Sequence, residues 1–213
     1  MRSFTNKEGS RIVKEMIRVI QENKEYLSDV DGVIGDGDHG INMNKGFTMA
    51  EAELSNKEVN LTESFAILSM TLMNKIGGSM GPLYGSIFMG MQMAVADKEN
   101  IDGSVLAHML NNAYDNIKMI SPAKPGDKTL VDVLDPAVTA YQETWEKSSD
   151  VLQALSACKE AAIMGMHATI DMCAKLGRAS RLKEKSIGHQ DAGATSCCLL
   201  ISALCDAATA LLK

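Results

Sequence analysis

Aromatic residues make up only 4% of this chain, and sustained alternation of apolar and polar residues is nearly absent. Both shortages exclude a fold built on half-buried strands. CxxC pairs are also missing. The five cysteines (Cys158, Cys173, Cys197, Cys198 and Cys205) are odd in number and lie in stretches rich in Ala, Leu and Met. They read as reduced core thiols of a cytoplasmic protein. No cluster of Lys and Arg offsets a formal net charge of -6, which excludes a nucleic-acid surface. The longest apolar stretches fall far short of the ~20 residues of a membrane helix, so no membrane span is expected. The N-terminus, MRSFTNKEGSRIVKEM, has neither the apolar core nor the cleavage pattern of a secretory signal.

Helical periodicity fills the space these absences leave. Val13, Met16, Ile17 and Ile20 form one stripe, and Leu61, Phe65, Leu68, Leu72 and Ile76 form another at spacings of three and four. Further stripes run through Val105, Met109, Ala113 and Ile117, through Val151 to Cys173, and through Leu200, Leu204, Ala207 and Leu211. The 15 methionines are helix formers and adaptable core fillers. About eight helices are predicted, over residues 7–24, 42–54, 61–76, 81–97, 103–119, 128–147, 150–175 and 193–212. No repeat or linker divides the chain, so residues 1–213 are expected to form a single all-α domain.

The breaks between helices are rich in Gly and Asp, which a bundle does not need for stability; a site assembled where loops meet is the reading they suggest. Residues 31–42 read DGVIGDGDHGIN, placing Asp31, Asp36 and Asp38 within eight positions with glycines between them. Three carboxylates drawn into one turn repel, at about 4 kcal/mol per pair for ~4 Å and an effective dielectric near 20. A hard divalent cation removes that penalty. An EF-hand does not fit: counted from Asp29, the required glycine is Ile34 and the twelfth position is Gly40 in place of Glu. The competing account is an Asx- and Gly-rich turn that caps the next helix.

Three other breaks carry candidate anion-binding groups. Gly77-Gly78-Ser79-Met80-Gly81-Pro82 ends one helix and opens another, and the free N–H groups of such a start suit phosphate. Pro125-Gly126-Asp127-Lys128-Thr129 resembles a P-loop fragment, but the full GxxxxGK[ST] pattern is absent and a P-loop is rejected. Lys128 is left as a phosphate contact or a solvated lysine. Arg178 precedes GHQDAG (188–193) and could donate a bidentate fork to phosphate oxygens. The four histidines show no metal-ligand spacing.

The segments IGDGDHGINMNKGF, GGSMGPLYGS, PGDKTLVDVLDPA and GRASRLKEKSIGHQDAGATS, in this order, resemble the signatures of the L-subunit family of dihydroxyacetone kinase. The resemblance implies an eight-helix antiparallel barrel with a nucleotide at one end. It implies that Asp31, Asp36 and Asp38 hold magnesium on the ADP or ATP phosphates. His39, Gly40, Ile41 and Asn42 would lie against the nucleotide, with Gly78, Ser79 and Met80 near its phosphates. Leu130, Arg178, Gln190, Asp191 and Ala192 match the remaining nucleotide contacts, and Ser121 stands where the family often has a Gly near adenine. Other departures are GGSMG for the common GGASG, and Arg181, Lys183, Lys185 and Ala192 in the last segment.

The same resemblance implies a cytoplasmic subunit of a phosphoenolpyruvate–glycerone phosphotransferase. A phosphotransferase-system M-type subunit carrying phosphohistidine would recharge the nucleotide, and a separate K-type subunit would hold dihydroxyacetone. No protein nucleophile is required. A homodimer is compatible with the sequence. The alternatives are a subunit of an ATP-dependent kinase for another short ketose, and a nucleotide-sensing protein that binds a regulator.

Overall fold

A computed structural model describes residues 2–55 and 57–213. Its elements in chain order are β1 (Ser3–Thr5), α1 (Asn6–Glu22), α2 (Lys24–Ile34), α3 (His39–Leu54), α4 (Leu61–Lys75), α5 (Met80–Val95), β2 (Asn100–Asp102), α6 (Gly103–Ile120), α7 (Val131–Ser148), α8 (Val151–Ala168) and α9 (Ala192–Leu211). Short 3-10 turns, Thr169–Asp171 and Ala179–Ser186, lie between α8 and α9. The all-α expectation holds. The two three-residue strands form an antiparallel ribbon in which Phe4 faces Ile101.

Local chemistry sets several helix starts. Thr5 and Glu8 make a reciprocal capping box at α1, and Asn60 and Glu63 do the same at α4. Asp102 caps α6 by accepting from Val105 N at 2.9 Å, and Asp150 caps α8 by accepting from Leu152 N at 2.9 Å. Ser149, left-handed at φ 51°, ends α7 and turns the chain into α8.

Helices α3 to α9 pack each against the next, α9 returns against α1, and α1 packs against α3 and α4. This closes an antiparallel ring of eight helices, α1 and α3–α9, which correspond one for one to the eight read from periodicity. The stripes become its core: Val13, Met16, Ile17, Ile20, Leu61, Phe65, Leu68 and Leu72 are all buried. Cys158, Cys197, Cys198 and Cys205 are buried free thiols and Cys173 is half-buried.

Two expectations need correction. Residues 24–34 form a ninth helix, α2, that periodicity missed because only Leu27 and Ile34 of its eleven residues are buried. Asp31 therefore sits in the last turn of a helix and not in a loop. Helix α9 is long and apolar enough to cross a membrane by length and composition, contrary to the reading of short apolar runs. Most of it is buried against α1, α7 and α8, so its apolarity serves the core of the ring.

Close helix approaches depend on small residues. A Cβ at Gly90 of α5 would overlap the Asn112 carbonyl of α6, and one at Gly165 of α8 would overlap the Asp132 carbonyl of α7. Pro136 cannot donate to that Asp132 carbonyl, which faces Gly165 instead. Gly90→Ala gains about 1 kcal/mol of helix propensity but forces α5 and α6 apart, an overpacking cost of about 1–3 kcal/mol. Its expected net effect is a lower melting temperature by thermal circular dichroism; an unchanged or raised value would contradict the close contact.

Candidate functional site

Helices α3, α5, α7 and α9 all start at one end of the ring, because neighbours alternate in direction. The last turn of α2 and the end of α6 complete a cleft of about 1060 Å³ at that end. Ser79 and Leu130, which precede α5 and α7, and Asp38, which precedes α3, make no side-chain cap bond to their helices. The partial positive charge of these helix starts is thus turned toward the cleft, where it favours an anion.

Carboxylates gather at the mouth of this cleft. Gly35 N–H donates to Asp31 O at 2.6 Å and closes α2, and Gly37, at φ 75°, turns the chain into α3. Each of Asp31, Asp36 and Asp38 offers an oxygen within 4.8 Å of the others. A Cβ at Gly35 would overlap the Asp31 carboxylate, so glycine is what permits this approach. Arg178 reaches across from the α8–α9 connection and pairs with Asp36 and, at 3.3 Å, with Asp38. Its guanidinium shows that the cluster draws a cation. An oxygen-only donor set, partly open to the cleft, fits magnesium, which takes few protein carboxylates and leaves room for phosphate oxygens and water.

Beneath the carboxylates runs a buried polar chain that sequence reading missed. Tyr84 O–H donates to Gly193 O at 3.0 Å, Ser196 Oγ lies 2.6 Å from Tyr84 Oη, and His39 Nε2 lies 2.8 Å from Ser196 Oγ. Ser196 Oγ also reaches the Ala192 and Gly193 carbonyls at 3.1 and 3.2 Å, so its hydroxyl is held by His39, Tyr84 and the first turn of α9 together. The chain ties the starts of α3, α5 and α9 together. Its three members lie 157 and 112 residues apart in sequence, so no local pattern announces it.

Lys128 is a second surprise. It lines the cleft but is not solvated: it is 1% exposed, and its ammonium is turned away to backbone, Nζ donating to the carbonyls of Thr169 (2.7 Å), Met172 (3.1 Å), Ser186 (2.7 Å) and His189 (2.6 Å). Residues 128–130, expected to open a helix, instead form a turn in which Lys128 has φ 61°.

Of the residues singled out in the sequence, Asp31, Asp38, His39, Asn42, Gly78, Ser79, Met80, Ser121, Leu130, Arg178, Asp191 and Ala192 line the cleft. Asp36 joins through the carboxylate cluster. Three others do not line it. Gly40 lets α3 close on α2, where a Cβ would overlap the Lys24 carbonyl. Ile41 is 53% exposed on the outside of α3. Gln190 Nε2 donates to Tyr26 Oη at 3.1 Å and Thr195 Oγ1 at 2.7 Å.

A family model described as DAK2 domain matches residues 33–206, which contain most of this cleft. The chain belongs to the DAK2 domain family. Among its relatives is the PEP-dependent dihydroxyacetone kinase 1, ADP-binding subunit DhaL, of Listeria innocua serovar 6a, 40% identical over 87% of this chain and 88% of the relative. The PTS-dependent dihydroxyacetone kinase, ADP-binding subunit DhaL, of Lactococcus lactis subsp. lactis is 41% identical over 87% of this chain and 88% of the relative. The fold also matches the dihydroxyacetone kinase of C. freundii, solved in complex with AMP-PNP and Mg2+, with a TM-score of 0.67 at 23% identity. That match covers 92% of this chain and 33% of the C. freundii chain.

Two titratable groups of this DAK2 site oppose each other in acid. Burial pushes the His39 imidazole down to about 4, so the folded state holds fewer protons than the unfolded one between that pH and 6.5, and stability falls as pH falls through this window. Desolvation pushes the Asp191 carboxyl up to about 6, so between 3.8 and that pH stability rises as pH falls. The two slopes largely cancel in the parent chain. His39→Gln, which can still donate to Ser196, removes the first slope. Its stability relative to the parent is expected to rise by about 3 kcal/mol between pH 7 and pH 4 in metal-free urea unfolding. A constant difference across that range would contradict this account.

Proposed function

We propose that this chain is the ADP-binding phosphoryl-transfer subunit of a phosphotransferase-system-dependent dihydroxyacetone kinase. The observation that carries the reading is the cluster of Asp31, Asp36 and Asp38 at the mouth of a cleft onto which helix starts converge. It is supported by relatives that are named as ADP-binding subunits and match along nearly their whole length. The readings as another ketose kinase or as a nucleotide sensor draw less support from these matches.

In this reading the three aspartates hold magnesium, and the starts of α3 and α5, with Gly78, Ser79 and Met80, hold the nucleotide phosphates. Magnesium, when bound, neutralises charge on the phosphates, and the nucleotide supplies the phosphoryl group that moves between donor and acceptor. Arg178, which pairs with Asp36 and Asp38, is placed to shift its fork onto phosphate oxygens once a metal satisfies the carboxylates. Leu130 and Ser121 also line the cleft and are proposed to lie toward the base. His39, held neutral by burial, adds no positive charge that would compete with the metal. The protein's part in catalysis is positioning and charge neutralisation, with no covalent protein intermediate. A K-type subunit holding the ketone and an M-type subunit carrying phosphohistidine are the proposed partners, met in the cytoplasm at the cleft end.

Freshly purified protein, denatured and analysed by chromatography, is expected to release ADP in near one-to-one amount. An empty site would favour an exchanging ATP-dependent kinase. Asp36→Ala, at an exposed position where the fold has little at stake, is expected to abolish magnesium-dependent ADP binding in calorimetric titration. Retained magnesium-dependent affinity would overturn the assignment of the triad.

A further inference from the structure

The segment between α8 and α9 is held in place from underneath. It leaves α8 at Ala168, turns at Thr169–Asp171, carries Arg178 outward to the carboxylate cluster, and returns through Ala179–Ser186 to the start of α9. Two of the four carbonyls bound by Lys128, those of Thr169 and Met172, precede Arg178 in the chain. The other two, those of Ser186 and His189, follow it. One ammonium thus pinches together both arms of the loop whose outer part bears Arg178.

Smaller contacts run beside the pinch. Gly188 N–H donates to Ile170 O at 2.7 Å, Ala174 N–H to Ser186 Oγ at 2.9 Å, and Lys175 N–H to Asp127 O at 3.1 Å. The position is also strained, since Lys128 is one of only three non-glycine residues with positive φ among the described residues. Asp132 stabilises that turn by accepting from Thr129 N–H at 2.7 Å. An ammonium has three protons, and all are committed to backbone carbonyls, which leaves none for a ligand. The chemistry suits lysine alone: a compact tetrahedral cation can serve converging carbonyls, whereas the planar fork of arginine cannot.

We infer that Lys128 is a positioning residue for nucleotide binding, acting through the loop it gathers to set Arg178 against Asp36 and Asp38. The inference rests on the cleft being a magnesium–nucleotide site, as proposed above. Lys128 lies in the wall of the cleft, but its ammonium is spent on the four carbonyls, so in this account it acts on the ligand through the loop.

The test has two readouts on the full chain. In ligand-free hydrogen exchange, Lys128→Ala is expected to speed exchange across residues 170–189 while α4 and α5 keep their protection. In magnesium–ADP titrations, Lys128→Ala is expected to weaken binding by about tenfold or more, in the range of supporting-residue losses at metal sites. The double variant with Arg178→Ala is expected to bind no worse than Arg178→Ala alone. Unchanged loop exchange, parent-like affinity, or losses that multiply in the double variant would each overturn the inference. If Lys128→Ala does not fold, Lys128→Arg, which keeps the charge, is read by the same criteria. If the parent chain itself fails to bind magnesium–ADP, the functional reading falls, and loop exchange alone then decides whether Lys128 holds the loop.

Discussion

Consecutive helices joined by short connections run antiparallel, and closing such helices into a ring brings alternate starts to the same end. This constraint underlies the rest of the molecule. The starts of α3, α5, α7 and α9 share one end of the ring, and their aligned dipoles favour negative charge there. The three aspartates are stable there partly because they face these starts and the Arg178 guanidinium. Phosphates and carboxylates in one cleft repel, and under the proposed function a multivalent cation between them is what reconciles the two.

The two ends of the ring are finished differently. All five glycines with positive φ (Gly37, Gly78, Gly126, Gly177 and Gly188) lie in connections at the cleft end. At the opposite end, capping residues and the β1–β2 ribbon close the structure, and Asn6 donates to Val95 O and Lys98 O to bind the ends of neighbouring elements. Side-chain caps stabilise the starts of α1, α4, α6 and α8 at that end. At the cleft end Asp191 caps α9, the residues preceding α3 and α5 make no side-chain cap, and the buried His39–Ser196–Tyr84 chain ties the starts of α3, α5 and α9 together.

Much of this was legible in the sequence, and for identifiable reasons. The eight ring helices each bury a stripe, so their periodicity is strong; α2 buries only Leu27 and Ile34, and its Asp and Gly content disguised it as a loop. The aspartate triad was visible because its members are close in sequence and their repulsion calls for a cation. The neighbourhood of His39 was harder to read: α3 turns Asn42 toward the cleft, Ile41 outward and Gly40 onto α2, because successive helical residues point in directions about 100° apart. Lys128 was misread because a lysine followed by threonine near a helix start looks solvated when its partners lie 41 to 61 residues away.

What the sequence determined by itself is what local chemistry controls: helices from apolar spacing and caps, turns from glycine, and a carboxylate cluster from three aspartates within eight positions. What only the tertiary structure decided is which distant groups meet. Ring closure brought Arg178 to Asp36, Ser196 to His39, and the ammonium of Lys128 to four carbonyls of another connection. Those contacts depend on the packing of whole helices against one another, and no pattern along the chain encodes a distance across it.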